Sequence, residues 1–367
     1  MSQQTLTGPA AVMNMTDKDV RLVRVDKIAS STVNLDLAHD LEITTACEAR
    51  AGNVVVVRTR TDNATYNTLE LVTGRMAKIN HGDIIAGVLG YRRALKGFVG
   101  DVPESIKAGD RLHLLNLGGL VGQCVGHHHS LNNAIEVEVI GMPVRDGRIL
   151  NISEAAIAQR AEMTATVPLV LVAGTCMNSG KTYAATEIIK HLTRAGLRVA
   201  AAKLSGVACL RDTLNMQDHG AIKTLSFLDC GLPSTVGVSD LAPIAKGVIE
   251  ELAKVEPDCA VVELGDGLLG GYAVETIFND AELMRATAAL VFCASDFVGA
   301  WGGRELLAAH NVKIDVMSGP VTDSQMGADY VREHLGISAA NAVNHGEQLA
   351  LLVKEKIEKW SVASGKW

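Results

Sequence analysis

From about Val20 to Val144 the apolar positions fall in short β-branched runs broken by turns, at Asn53–Arg58, Asp83–Leu89, Arg111–Leu115 and Ala134–Ile140. The alternation in Ala134-Ile-Glu-Val-Glu-Val-Ile140 marks a strand with one wet face. Such spacing predicts a compact β-barrel or sandwich. Asn116-Leu-Gly-Gly119 reads as a hairpin, Asp146-Gly-Arg148 as a turn and Ile152–Met163 as a connecting helix. From Val167 the texture changes to strand-like runs (Pro168–Ala173, Leu197–Lys203, Cys259–Glu263, Ala288–Cys293, Val312–Met317) separated by helical patterns. Those patterns lie at Tyr183–Ala195, Asp218–Leu228, Leu241–Val255, Arg304–Ala309 and Asp323–His334. Repeated βα units predict an α/β fold with a mostly parallel sheet flanked by helices, beside a smaller N-terminal β-rich barrel or sandwich domain. The expected organisation is a flexible terminus at 1–17, a β-rich domain at 18–148, a linker helix at 149–166 and the α/β domain at 167–367.

Bulk properties narrow the classes. At 367 residues two domains are expected, and 48% hydrophobic content with 4% aromatics suits Val/Ala/Leu packing and excludes disorder. A net charge of −7, with no basic tract, argues against nucleic-acid binding. The seven cysteines are scattered and include no C-x-x-C, which predicts reduced thiols in a cytoplasmic protein. There is no secretory pattern at the N-terminus and no apolar stretch of about 18 residues, so no membrane is expected as partner.

The run Gly174-Thr-Cys-Met-Asn-Ser-Gly-Lys-Thr182 follows a buried-strand pattern and opens a helical one. A strand, a glycine-bounded loop and a helix starting on Gly-Lys-Thr form a phosphate cradle. The candidate nucleotide-binding residues are Gly174, Thr175, Cys176, Met177, Asn178, Ser179, Gly180, Lys181, Thr182 and Tyr183, with Lys181 on the terminal phosphates and Thr182 on Mg²⁺. Two further signals come from later strands. Lys203 sits at the carboxyl end of an apolar strand, where a bound anion would explain it. Glu263 ends the run Asp258-Cys-Ala-Val-Val-Glu263, and the glycine-rich Leu264-Gly-Asp-Gly267 follows.

Over residues 168–320 these features together resemble dethiobiotin synthetase and the cobyrinate amidating enzymes, P-loop amide-forming ligases. The loop has five residues between its first Gly and Gly-Lys, as theirs does, although Cys176 stands where that family has Asp. Lys203-Leu-Ser-Gly206 is similar to their Lys-Pro-x-x-Ser-Gly run without the Pro, and Glu263 to their Val-Glu-Gly turn with Leu264 replacing a glycine. The resemblance implies ATP and Mg²⁺ as cofactors, with Lys181 and Lys203 catalytic and Thr182, Asp218 and Glu263 on the metal. Asp212 competes with Asp218, whose placement after Lys203 is favoured. It also implies a small acidic substrate near Ser205 and Gly267, phosphorylated in a ligase- or kinase-type reaction, and a homodimer, since relatives often share the site between subunits. Asp266, a second carboxylate those families usually lack, is a candidate to help the metal, act as general base or contact substrate, against the alternative of an Asp-Gly turn.

In the β-rich half, Arg92, Arg93 and Lys96 form a candidate anion patch for such a substrate, against the alternative of a solvated turn. Gly126-His-His-His-Ser130 supports a different reading, a nucleotide-switched metal chaperone or cofactor-biosynthesis accessory. Of that run only His127 and His129 share a face of an extended strand.

Overall fold

A computed structural model of the chain describes residues 20–61 and 66–365; the expected flexible terminus, 1–17, lies outside them. The chain divides into two compact units. One is Met1–Ala156 with Val207–Arg211 and Phe227–Gly237; the other is Ile157–Gly206, Asp212–Ser226 and Val238–Trp367.

In the first unit the apolar runs become the strands Val54–Thr59, Ile84–Leu89, Arg111–Leu114, Leu120–His127 and Glu136–Arg145. Glu136–Arg145 pairs with Val54–Thr59, which pairs with Ile84–Leu89, which pairs with Leu120–His127. That last strand pairs with Arg111–Leu114, which returns to Glu136–Arg145. The ring closes, so this is a barrel. The pleat sorts its side chains: Val55, Val57, Ile85, Leu89, Leu112, Leu114, Val121, Val137 and Val139 share one buried cluster. Val56, Ala86 and Ile140, out of phase by one, join a second cluster with Leu41 and Ile43. Asp146 and Gly147 take φ of 50° and 71° at the turn read from the sequence, which joins Val144–Arg145 to Arg148–Ile149 as a hairpin.

The second unit holds β1 (Leu169–Gly174), β2 (Val199–Ser205), β3 (Thr224–Ser226), β4 (Cys259–Leu264), β5 (Thr287–Cys293), β6 (Val316–Ser318) and β7 (Ser338–Ala339). They form one seven-stranded sheet in the order β3-β2-β4-β1-β5-β6-β7. Every pairing in it is parallel. Its helices are α1 (Lys181–Arg194), α2 (Arg211–Asp218), α3 (Ala242–Ala253), α4 (Glu275–Asn279), α5 (Ala281–Ala286), α6 (Phe297–Ala309), α7 (Gln325–Leu335) and α8 (Gly346–Ala363). Val170, Val172, Val261 and Val291 of the sheet pack against Ala184, Ile188 and Leu192 of α1 and Leu349, Val353 and Ile357 of α8. With β4 on one side and β5 on the other, the carboxyl end of β1 lies where strand order reverses, the place where open parallel sheets bind ligands.

Two helical expectations fail. Asp218 ends α2 rather than opening a helix, and the run to Leu228 carries β3 and a 3-10 turn at Phe227–Cys230. There Thr224 and Ser226 pair with Ala201 and Lys203 of β2, a long-range partner that local periodicity does not encode. The helix expected over Ile152–Met163 is one 3-10 turn, Ile152–Ala155, boxed by Asn151 and Glu154. Beyond it α3 holds the backbone extended. The Arg160 N–H donates to the Pro243 carbonyl, Lys246 Nζ donates to the Ala161 carbonyl at 2.9 Å, and Glu250 accepts from the N–H groups of Thr164 and Ala165. Bonds to a neighbouring helix replace those a helix would make with itself.

Lys246 also pairs with Asp280 at 2.8 Å and Glu282 at 2.7 Å, and only 7% of its side chain is exposed. Removing the lysine leaves two neighbouring carboxylates without their shared cation, so Lys246→Ala should lower the unfolding free energy. Urea titration reads this, and an unmoved midpoint would show that the cluster contributes nothing. Burial pushes the thiols of Cys230, Cys259 and Cys293 up to about 12. In the folded protein all three should stay unmodified by iodoacetamide at mildly alkaline pH and react once it is denatured, as peptide mapping would show.

Candidate functional site

The buried residues of β1 bring the chain to Gly174 with no room beside it: a Cβ there would lie 2.4 Å from Ser179 Oγ and 2.7 Å from the Cys293 carbonyl oxygen. The loop then turns tightly, with Asn178 at φ 64° and Gly180 at φ 93° as the N-cap of α1. Thr175 N–H is tied to the Cys293 carbonyl of β5 at 3.0 Å. The first N–H groups of α1 have no acceptor within the helix and face the loop with the positive end of its dipole.

Lys181 is 5% exposed. Its Nζ donates to the Cys176 carbonyl at 2.7 Å and to the Asp266 carbonyl at 2.6 Å. Burial holds its ammonium below the usual lysine range, against the pull of Glu263 and Asp266. Thr182 Oγ1 donates to Glu263 Oε1 at 3.1 Å. The other oxygen of Glu263, at the end of β4, is buried and has no hydrogen-bond partner. Burial raises this carboxyl above the usual range, while Lys203 and Lys181 lower it in part. A hydroxyl and an orphaned carboxylate oxygen beside a phosphate cradle fit a hard divalent cation, because such ions take oxygen ligands.

Lys203 lies opposite Glu263 in the β2–β4 register, and its ammonium forms an ion pair with Asp212 in the first turn of α2. Asp212 is buried, whereas Asp218 is exposed at the far end of that helix. The carboxylate brought to the site is therefore Asp212, and the expectation for Asp218 is corrected. Both residues begin or end a helical stretch, so propensity alone does not separate them.

Ser205 is buried and donates to the Gly265 carbonyl at 3.1 Å, fastening the turn after β4 to β2. Asp266 has φ 61°, and its backbone oxygen is what meets Lys181. Gly267 allows a close approach: a Cβ there would sit 2.3 Å from the Thr175 carbonyl oxygen. Tyr183 is mostly exposed on α1. Two neighbours of the loop lie in the runs Cys293–Gly303 and Ser318–Ser324, which follow later strands. Ser295 Oγ lies 3.3 Å from Thr175 Oγ1 and 3.6 Å from Cys176 Sγ. A Cβ on Gly319 would lie 2.4 Å from the Ser179 carbonyl oxygen. Their signal was position alone, since each follows a strand on the β5 side of β1.

The anion patch is corrected. Arg92 is buried, its guanidinium donates to the Leu115 carbonyl and it lies over the Tyr66 ring. Arg93 donates to the Gly100 carbonyl and pairs with Asp101. Both tie the barrel's own backbone, as long polar side chains do when burial leaves carbonyls to satisfy. His127 Nδ1 lies 3.1 Å from the His128 carbonyl oxygen and the rings of His128 and His129 are 4.3 Å apart. No group of three or more His, Cys, Asp or Glu side chains able to hold a metal occurs among the described residues. Among them, too, no helix is long and apolar enough to cross a membrane.

No protein-family model matches the chain, and no curated protein matches it at a significant level. Among solved structures it is similar to the 54 kDa protein of the signal recognition particle from Aeropyrum pernix in complex with GDP (17% identity, 55% of this chain, 51% of that one, TM-score 0.34). It is similar also to the hydrogenase maturation factor HypB from Archaeoglobus fulgidus (17% identity, 53% and 77%, TM-score 0.30). A third is a DUF1611 family protein from Anabaena variabilis (14% identity, 59% and 65%, TM-score 0.35). The chain thus spans about half the length of the first, 51%.

Proposed function

We propose that this chain is a Mg²⁺-dependent P-loop nucleoside triphosphatase in which bound nucleotide switches the turn after β4. The supporting observation is the double engagement of Lys181, which holds the Cys176 and Asp266 carbonyls. A triphosphate entering the loop competes for that ammonium. When Lys181 turns to phosphate oxygens it releases Asp266, and the turn carrying Gly265 and Gly267 loses a tether. Nucleotide state and turn conformation are therefore linked through one side chain.

The remaining work is electrostatic. Loop N–H groups and Lys181 neutralise the phosphates. Thr182 and Glu263 would hold Mg²⁺, which would supply charge neutralisation for the phosphates. Asp212 keeps Lys203 oriented at the edge of the site. The phosphate and metal parts of this site serve ATP, which the ligase resemblance implies, and GTP alike.

Phosphate release with each nucleotide, with and without Mg²⁺, tests the reading; failure of both nucleotides to bind would end it. A second reading, ligase-type phosphoryl transfer to a small acid, is favoured by Lys203 at the strand end, but it requires that lysine to leave Asp212 for the transferring group. Turnover accelerated many-fold by one member of a carboxylic-acid panel would favour transfer, whereas turnover indifferent to every acid would favour the switch.

A further inference from the structure

The turn after β4 continues into an apolar groove of about 410 Å³, walled by Leu268 and Leu269 of the turn, Phe278 of α4 and Leu306 and Leu307 of α6. On its wall Leu269 is 79% exposed and Leu306 39%. Exposed leucines over an apolar floor suit a contact site. Its charge is one-sided. Glu275 lines the groove, and no salt bridge reaches it among the described residues. The other ionisable lining group, His310, has its ring bonded to Asn279, and on α6 Arg304 pairs with Glu305.

We propose that this groove binds an amphipathic helical segment of a partner protein, apolar residues filling it and a lysine or arginine reaching Glu275. Apolar anchors at i, i+3, i+4 and i+7 suit a groove bounded by two helices and a turn, and the acidic rim selects the basic flank.

The test titrates a fluorescent synthetic peptide of about five helical turns, with leucines at that spacing and flanking lysines, against the full chain without nucleotide. Reading binding without nucleotide keeps the result independent of the triphosphatase proposal. A matched peptide carries glutamates in place of the lysines. The expected result is that only the lysine peptide binds. Leu269→Ser and Leu306→Ser should each weaken it about tenfold or more, and Leu269→Ser, at a position 79% exposed, should do so with an unchanged melting temperature. Glu275→Lys should reverse the preference between the peptides. No binding, equal binding of both peptides, or indifference to both leucine variants overturns the proposal. So does sedimentation showing a dimer that Leu269→Ser dissolves, which would assign the groove to a second copy.

Discussion

Lys181→Ala should lower nucleotide turnover by about a hundred- to a thousandfold, the size of effect seen when one preorganised charge or donor is taken from a developing anion. The fold should survive. The ammonium is nearly buried and burial opposes its charge, so its two carbonyl bonds are offset by the desolvation they require. Net stability is expected to move by about 1 kcal/mol. The same variant separates the switch from simple binding, because Asp266 loses its tether whether or not nucleotide is present. Amide exchange in the turn Gly265–Gly271 should therefore quicken in the variant and stop responding to nucleotide. Steady-state phosphate release, a thermal melt and hydrogen exchange suffice; native turnover in the variant would defeat the catalytic scheme.

Glu263→Gln carries the second large effect. Glutamine keeps the shape and can still accept from Thr182, but it lacks the charge a divalent cation needs. The Mg²⁺-dependent part of nucleotide affinity should fall about ten- to a hundredfold, with binding in EDTA little altered. The variant also has a pH signature. Burial raises the Glu263 carboxyl, so the folded chain holds a proton there that the unfolded chain has released. Between the ordinary glutamate value of about 4.3 and the raised one, the folded state binds more protons, so this group's contribution to stability declines as pH rises. Native protein should lose stability relative to Glu263→Gln across that window, and added Mg²⁺ should reduce the difference. Parallel stability curves for the two proteins would refute the placement of Glu263 as a buried, metal-seeking carboxylate.

Much of the site was legible because its residues are consecutive. Gly174–Thr182 names a phosphate loop by spacing alone, and Lys203 and Glu263 are conspicuous as charges at the ends of apolar runs. Their meeting follows from pairing of β2 with β4, which sets them opposite each other. Asp212 was harder to read. Asp218 lies six positions further on, both are compatible with a helix end, and only the packed position of α2 turns one inward. Arg92 and Arg93 were hard to read for a different reason, because a basic cluster in sequence looks the same whether it faces solvent or satisfies backbone carbonyls. The helix expected at Ile152–Met163 had adequate periodicity, but Lys246 and Glu250 of α3 offered its backbone better partners.

Hydrophobic period determined the two textures of the chain, the β-rich and parallel-sheet halves, and residue spacing marked the candidate phosphate loop, because these depend on residues near each other in sequence. Tertiary structure alone decided which carboxylate pairs with Lys203, how the β4 turn touches Lys181, and that Val207–Arg211 and Phe227–Gly237 belong with the barrel unit. Each of those outcomes rests on contacts between residues far apart along the chain, where burial and pairing geometry, rather than local propensity, set the lowest free energy.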